Sequence, residues 1–307
     1  MLAAGRGRRF EALTRTLPKS CLPVLGRPLI AWQLEALAAA GVREVVVVVG
    51  HLRERVEETL AESAPEGLEL ATVTQPEPLG IAAALACAAP RLARPFLCVL
   101  GDVFFDPRAL AALAPALAGA DAALVARAEA APGELARNFA VEVDAAGWVR
   151  AVEEKPTRAR GGWMGTGLYA FRPEFVPVAA ATPPSGLRGE RELTDAIARH
   201  LAAGARVRAV ASVGPDVNLS GPADLLAANL SALARAGREA WVDPAAELGQ
   251  GVELAHAVVG ARAVVAPGTR LVRCLVLAGE RVPRGSHADV VFAAGEAFAC
   301  AGRSPAT

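Results

Sequence analysis

The feature of this chain that most restricts its fold is a run of five consecutive valines, Val45–Val49, which lies within residues 43–50. β-Branched residues favour extended backbone, and a strand without alternating polar residues fits a sheet that is buried on both faces. Strands of this kind belong to parallel sheets that helices cover on both sides. The run therefore predicts an α/β fold.

The first 130 residues alternate in the way that such a fold requires. Further strands are predicted over 68–74 and 95–100, and helix-prone, Ala-rich segments cover 28–40, 52–62, 79–92 and 107–117. This alternation predicts a Rossmann-like, mostly parallel sheet with helices on both faces. Ligands of such sheets bind beyond the carboxyl ends of the strands, so the loops there are the expected site.

The pattern changes after residue 139. A hairpin is predicted over 139–152 and a strand over 166–171, and helices are predicted over 190–203 and 222–236. From Trp241 onward, apolar residues recur every six positions, as in the series Val259, Val265, Leu271 and Leu277. Period six is typical of a hexapeptide-repeat left-handed β-helix, although chance periodicity in a Val/Ala/Gly-rich tail is the alternative.

These patterns predict two domains, 1–238 and 239–307, in which the second packs against a neighbouring subunit of a homo-oligomer or covers a sheet edge. Equal numbers of acidic and basic residues, 32 of each, argue against a nucleic-acid partner. No apolar stretch reaches the roughly 18 residues of a membrane span. Five scattered cysteines without a CxxC pair, and no signal peptide, fit the cytoplasm.

Lysine usage is unusual, because Lys19 and Lys155 are the two lysines of the chain beside 30 arginines. Lys is a compact point charge and Arg a wide planar fork, so a tight phosphate site can accept the first and exclude the second. The plainer interpretation is that both survive by chance on a solvated surface.

Two further segments carry candidate chemistry. Gly5 and Gly7 precede Arg9, and glycine-rich backbone can approach a phosphate that an Arg fork also holds. Asp102 follows the predicted strand over 95–100, where a carboxylate is placed to bind Mg²⁺ together with phosphate oxygens. An Asp in a turn or helix cap is the alternative.

Taken together, the motifs resemble those of the sugar-1-phosphate nucleotidyltransferases, and most closely the long glucose-1-phosphate thymidylyltransferases with a C-terminal β-helix. The matching segments are 2–10 (LAAGRGRRF), 18–28 (PKSCLPVLGRP), 75–80 (QPEPLG), 100–102 (LGD), 138–141 (NFAV), 153–156 (EEKP), 166–169 (TGLY), 188–197 (RGERELTDAI) and 222–226 (PADLL). They occur in the family's order and span residues 2–230.

The resemblance implies transfer of a nucleotidyl group from a nucleoside triphosphate to a sugar 1-phosphate, with Mg²⁺ as cofactor. The implied catalytic residues are Arg9, Lys19, Asp102 and Lys155. The implied nucleotide-binding residues are Leu2, Ala3, Ala4, Gly5, Gly7, Gln75, Gly80 and Gly101. The implied sugar-binding residues are Ala140, Glu154 and Thr166.

The second metal ligand is less clear. The family usually has an aspartate six residues before the position of Asp224, and this chain has Asn218 there. Its amide oxygen is neutral, which Mg²⁺ accepts less readily than a carboxylate. Asp216 would share a strand face with Asn218 and is the alternative ligand.

The chain also departs from the family pattern at Arg8, Ala12, Ala140 and Gly165, and only Met1 precedes its first motif. The first strand is normally a few residues longer, so we expect the native protein to begin upstream of Met1. The departures leave two alternatives open: a catalytically weak, nucleotide-sugar-binding regulatory paralogue, and a cytidylyltransferase of phosphocholine or inositol phosphate. The base and the sugar stay open.

Overall fold

The computed structural model describes residues 1–5, 7, 11–157, 161–186 and 189–300. Its helices are α1 Glu11–Thr14, α2 Leu29–Ala39, α3 Arg53–Ser63, α4 Ile81–Cys87, α5 Arg108–Ala116, α6 Pro132–Leu135, α7 Phe175–Ala180, α8 Leu193–Ala202 and α9 Pro222–Arg235, with short 3₁₀ helices over Lys19–Cys21 and Ala89–Arg91. Within these ranges, no helix is both long enough and apolar enough to cross a membrane.

The strands up to residue 218 are β1 Pro23–Val24, β2 Arg27–Pro28, β3 Glu44–Val49, β4 Glu69–Thr74, β5 Phe96–Val99, β6 Val103–Phe104, β7 Ala122–Ala130, β8 Phe139–Val143, β9 Val149–Glu154, β10 Gly162–Phe171, β11 Val207–Ala211 and β12 Val217–Asn218. Those that follow are β13 Ala240–Val242, β14 Glu247–Leu248, β15 Glu253–Ala255, β16 Ala257–Val259, β17 Val264–Val265, β18 Arg270–Val276, β19 Arg281–Val282, β20 Ser286–Ala293 and β21 Glu296–Ala299.

The N-terminal residues form the centre of the main sheet. Leu2 lies parallel to both Val48 of β3 and Leu100 after β5. The Leu2 N–H donates to the Val99 carbonyl at 2.9 Å, and the Ala3 N–H donates to the Val48 carbonyl at 2.8 Å. The segment that begins the first sequence motif therefore ends at the same edge of the sheet as β3 and β5.

The five-valine strand is buried on both faces, as its sequence predicts. Val45, Val47 and Val49 pack in a core cluster with residues of α2, α3 and α5. Val48 points to the other face, where it packs against Ala84 of α4. The prediction of an α/β sheet covered by helices on both faces is confirmed for this part of the chain.

The central sheets contain both parallel and antiparallel strand pairs. The strand β4 is parallel to β3, and β11 is parallel to β7, but β10 runs antiparallel to both β5 and β7. The hairpin of β8 and β9 joins the same sheet through β8 and β10. The sequence indicated a strand over 166–171 but not its direction, because residue pattern reports burial and carries no information on orientation.

The last strands form parallel ladders. One ladder runs through β13, β16, β18 and β20, a second through β15, β18 and β20, and a third through β14, β17 and β19. Partners in the third ladder lie 17 residues apart, as Leu248 and Val265 do. This spacing is about three of the six-residue units in the sequence. The antiparallel β21, which ends the array beside β20, breaks the period and was not predicted.

One core cluster joins the N-terminal part of the chain to these ladders. It contains Val24 of the first hairpin, Leu225 of α9, and Leu275 and Val291 of the ladders. Polar contacts tie the same region together, since the Leu25 N–H donates to the Asn229 side-chain oxygen at 2.9 Å. The ladders and α9 therefore share an apolar interior in addition to the ladders' own cluster.

Candidate active site

A cavity of about 1300 Å³ opens beyond the carboxyl ends of the central strands. Its lining includes most of the residues implied by the motifs: Leu2, Ala3, Ala4, Gly5, Gly7, Lys19, Gln75, Gly80, Gly101, Asp102, Glu154, Lys155, Thr166, Asp216 and Asn218. Arg9 and Arg8 lie outside the described residues. Segments that are far apart in sequence are thus brought to one site by the parallel and antiparallel strands of the sheet.

The backbone around the first motif is fixed by close contacts. The Gly101 N–H donates to the Leu2 carbonyl at 2.8 Å, and a Cβ at Gly101 would lie 2.9 Å from that oxygen. Gly7 has a φ of +64°, and the Thr14 hydroxyl donates to its carbonyl at 3.0 Å. Glycine is favoured at position 7 because left-handed backbone is costly for other residues, and a Cβ there would lie 3.0 Å from the Thr14 Cγ2.

Lys19 and Asp102 form an ion pair inside the cavity. The Lys19 Nζ lies 3.0 Å from the Asp102 Oδ2, and the two side chains are 17% and 28% exposed. The buried Gln33 of α2 supports the Asp102 loop, because its amide donates to the carbonyls of Leu100 and Val103 at 2.9 and 2.8 Å. Sequence reasoning missed Gln33, since a polar residue inside a helix has no motif of its own.

The two candidate metal ligands lie on adjacent backbone. The Leu219 N–H donates to the Asp102 carbonyl at 2.8 Å, and Asn218 is paired with Val103 across β12 and β6. No group of three His, Cys, Asp or Glu residues placed to hold a metal exists in the described ranges. One carboxylate and one amide oxygen fit a Mg²⁺ ion that also takes phosphate oxygens from a nucleotide, as Mg²⁺ commonly does.

Asp216 has different surroundings. Burial raises the pKa of its carboxyl above the usual value, and the Arg127 charge and the Ser212 hydroxyl oppose this shift. The Ser212 hydroxyl donates to the Asp216 Oδ1 at 3.2 Å. Its charged neighbours are thus Arg127 and Glu134, whereas Asp102 is paired with Lys19.

Glu154 and Lys155 form a second ion pair at the end of β9. The Lys155 Nζ lies 3.4 Å from the Glu154 Oε1, and the Thr194 hydroxyl donates to the Glu154 Oε2 at 2.9 Å. Lys155 has a φ of +46°, a left-handed conformation rare for residues other than glycine, and its N–H donates to the Asn138 carbonyl at 2.7 Å. Thr194 therefore orients Glu154, a role that its place in the 188–197 motif alone did not reveal.

The Gln75–Gly80 loop is held by the loop before α8. The Gln75 amide donates to the Gly80 carbonyl at 3.1 Å, and the Arg191 N–H donates to the Leu79 carbonyl at 2.7 Å. Gly80 has a φ of +104°, and a Cβ there would lie 2.5 Å from the Arg191 carbonyl oxygen. Any side chain at this position would have to displace backbone.

Of the predicted sugar-binding residues, Thr166 lines the cavity and Ala140 does not. The Thr166 side chain is buried, and its hydroxyl donates to the Val125 carbonyl at 3.2 Å. Ala140 is not among the residues lining the cavity and packs instead against Leu135 and Met164. Its neighbour Phe139 does line the cavity, as does Met164, the residue of β10 that is paired with Ala140.

The Phe139 ring fills the space beside Gly165. A Cβ built on Gly165 would lie 1.7 Å from the Phe139 Cζ, and the Phe139 ring stacks on Tyr169 with centroids 6.4 Å apart. The ring fills the volume that a side chain at position 165 would need, so the glycine there has a steric cause.

We expect the Gly165→Ala variant to be less stable by about 1–3 kcal/mol, because the Phe139 ring must move into packed neighbours. The Tm should fall by at least about 2 °C, measured by differential scanning fluorimetry. Gly133→Ala is the matched control, since nothing lies within 4 Å of a Cβ at that position. A Gly165→Ala protein that melts together with the wild type would contradict the assignment.

Comparison with known proteins agrees with this geometry. The Nucleotidyl transferase family pattern matches residues 1–244. Glucose-1-phosphate thymidylyltransferase of Streptomyces griseus is 31% identical over 237 residues, covering 75% of this chain and 64% of that protein. The Streptomyces antibioticus enzyme of the same name is 30% identical over 291 residues, covering 90% of this chain and 75% of that protein.

A crystal structure of UDP-glucose pyrophosphorylase complexed with UDP-glucose shares the fold, with a TM-score of 0.69 at 21% identity, covering 76% of this chain and 97% of that one. The chain spans somewhat less than two thirds of the Streptomyces griseus relative. The match over residues 1–244 and the cavity built from its motifs lead to one conclusion: the chain belongs to the nucleotidyl transferase family.

Proposed function

We propose that the protein transfers a nucleotidyl group from a nucleoside triphosphate to a sugar 1-phosphate. A sugar-phosphate oxygen attacks the α-phosphorus, the bond from that phosphorus to the β-phosphate oxygen breaks, and pyrophosphate leaves with the electron pair. The products are a nucleoside-diphosphate sugar and pyrophosphate. The observation that carries the proposal is the presence of two ion pairs, Lys19–Asp102 and Lys155–Glu154, in one cavity.

Each lysine has a separate role in the proposal. Lys19, with Arg9, neutralises the triphosphate and the departing pyrophosphate, and Lys155 holds the phosphate of the sugar. Catalysis of such a transfer consists mainly of positioning and charge neutralisation. The two lysines supply both, one at each substrate's phosphates. Glu154, oriented by Thr194, accepts hydroxyls of the sugar.

The remaining residues bind rather than react. The backbone from Leu2 to Gly7, together with Gly101, holds the nucleotide, and Gln75 and Gly80 face its base. Ala140 and Thr166 form the wall of the sugar subsite, the former by packing behind Met164. The similarity to a glucose-1-phosphate thymidylyltransferase and a UDP-glucose pyrophosphorylase makes thymine and uracil nucleotides with glucose 1-phosphate the first combination to test.

The proposal includes a Mg²⁺ ion held by Asp102 and Asn218, with Asp216 as the alternative ligand. When bound, the ion supplies positive charge at the phosphates. Asp102 meanwhile orients Lys19, and the Gln33 amide keeps the Asp102 loop in place.

The proposal extends to the organisation of the protein. We infer a catalytic domain over 1–238 and a left-handed β-helix over 239–307, supported by the parallel ladders and their own core cluster. Exposed Leu248 on β14 favours a homo-oligomer that packs through this region. Five free thiols favour a reducing cytoplasm.

Pyrophosphate release with a panel of nucleoside triphosphates and sugar 1-phosphates tests the proposal. We expect turnover with at least one pair and a dependence on divalent metal. Binding of nucleotide sugars without turnover would instead indicate a regulatory paralogue. Turnover of phosphocholine or inositol phosphate with CTP, and of no sugar phosphate, would indicate a different acceptor.

A further inference from the structure

Arg127, which no motif singled out, lines the cavity from β7. Its Nη2 lies 2.6 Å from the Glu134 Oε1 and 4.0 Å from the Met164 Sδ, and its side chain is 26% exposed. The Nε and Nη1 groups have no hydrogen-bond acceptor among residues that the structure describes. A guanidinium has five N–H donors, so several stay available to a ligand.

Strand pairing places Arg127 at the sugar end of the cavity. Arg127 is directly paired with Met164 on β10, and Met164 is paired with Ala140 on β8. The next residues of β10, Gly165 and Thr166, line the cavity as Arg127 does. Arg127 therefore belongs to the predicted sugar wall, whereas the Lys19–Asp102 pair belongs to the triphosphate side.

The carboxyl groups nearby are already engaged. Glu134 accepts from Arg127 with one oxygen and from the Ala131 N–H at 3.1 Å with the other, so it anchors the Nη2 end of the guanidinium. Asp216 is mostly buried beside the Ser212 hydroxyl. The exposed Arg137 adds a second cation to the same wall of the cavity.

We propose that Arg127, assisted by Arg137, binds an acidic substituent on the sugar, so that the substrate class is sugar 1-phosphates that carry a carboxylate. This inference rests on the proposed function. A pre-oriented guanidinium fork matches a carboxylate in two parallel hydrogen bonds, whereas a hydroxyl would use one donor and leave the rest unpaired.

Two matched substrate pairs test it: glucuronic acid 1-phosphate against glucose 1-phosphate, and N-acetylmuramic acid 1-phosphate against N-acetylglucosamine 1-phosphate. In each pair only one member carries a carboxylate. We expect kcat/KM to favour the acidic member of at least one pair by about 10- to 100-fold, the range for hydrogen bonds to a charged group. The Arg127→Gln variant should lower that ratio by about the same factor.

Arg150→Gln is the control, because Arg150 is an exposed arginine that pairs with Asp144 and does not line the cavity. Arg127→Lys should retain part of the preference for the acidic substrate. It replaces Arg127→Gln in the test if the Gln variant has a lowered Tm. Turnover of the neutral members alone, or an unchanged ratio in Arg127→Gln, would overturn this inference and leave the proposed function standing. Turnover of no sugar phosphate at all would overturn both.

Discussion

We expect the Asp102→Asn variant to release pyrophosphate about 100- to 1,000-fold more slowly than the wild type at saturating substrates, the range seen when one preorganised electrostatic group is removed. Asn keeps the shape of the side chain and an oxygen, but it removes the negative charge that pairs with Lys19 and that the proposed Mg²⁺ ion would bind. The hydrogen bond from the Leu219 N–H to the backbone carbonyl of residue 102 does not involve the side chain and should persist. The measurement is initial rate against Mg²⁺ concentration.

Asp144→Asn is the matched control for this change. Asp144 stands in the turn between β8 and β9, where its carboxylate accepts from the N–H groups of Ala146 and Trp148. Asn can make the same turn contacts, so its kcat should stay within about twofold of the wild type. An Asp102→Asn enzyme that turns over at a rate near that of the control would show that the cavity does not use this carboxylate.

The second large effect is expected for Lys19→Gln, which should weaken catalysis but strengthen metal binding. The kcat/KM for the nucleoside triphosphate should fall by about 100-fold, because the proposed charge-assisted contact to phosphate is lost. Affinity for Mn²⁺ without nucleotide should instead rise by about two- to fivefold, the strength of a partly exposed ion pair. The Lys19 Nζ lies against Asp102, where it would compete with a bound metal ion for the carboxylate.

Calorimetric titration with Mn²⁺ and steady-state kinetics measure the two effects separately. Lys19→Arg provides the charge-preserving comparison. Arginine keeps the positive charge but replaces the compact ammonium with a wider planar group, so it tests whether the point charge matters. Equal Mn²⁺ affinity in the wild type and in Lys19→Gln would disprove the competition.

Sequence reasoning located the main parts of the fold because they depend on local pattern. The five valines indicated a strand buried on both faces, and α9 begins at Pro222, the first residue of its predicted range. The predicted helix over 79–92 is shorter in the structure, because the backbone at Gly80 has a positive φ and α4 begins at Ile81. Boundaries of this kind depend on tertiary contacts such as that between Gly80 and Arg191.

The candidate site was predictable only where residues stand in motifs. Gln33 and Arg127 stand outside the motifs, and Thr194 stands in one that did not reveal its contact with Glu154, because these contacts join distant segments that no local pattern reports. Ala140 shows the opposite case. Its motif is present, but Ala140 does not line the cavity and packs against Leu135 and Met164 instead.

The core shared by the first hairpin and the last strands has a consequence for biosynthesis. Trp241 lies over Gly26, whose Cβ would be 2.4 Å from the Trp241 Cη2, and Val291 packs in the same cluster as Val24. The ribosome synthesises the first hairpin early and the strands that pack against it late. The nascent protein therefore exposes this apolar surface through most of translation, when such surface favours aggregation and chaperone binding.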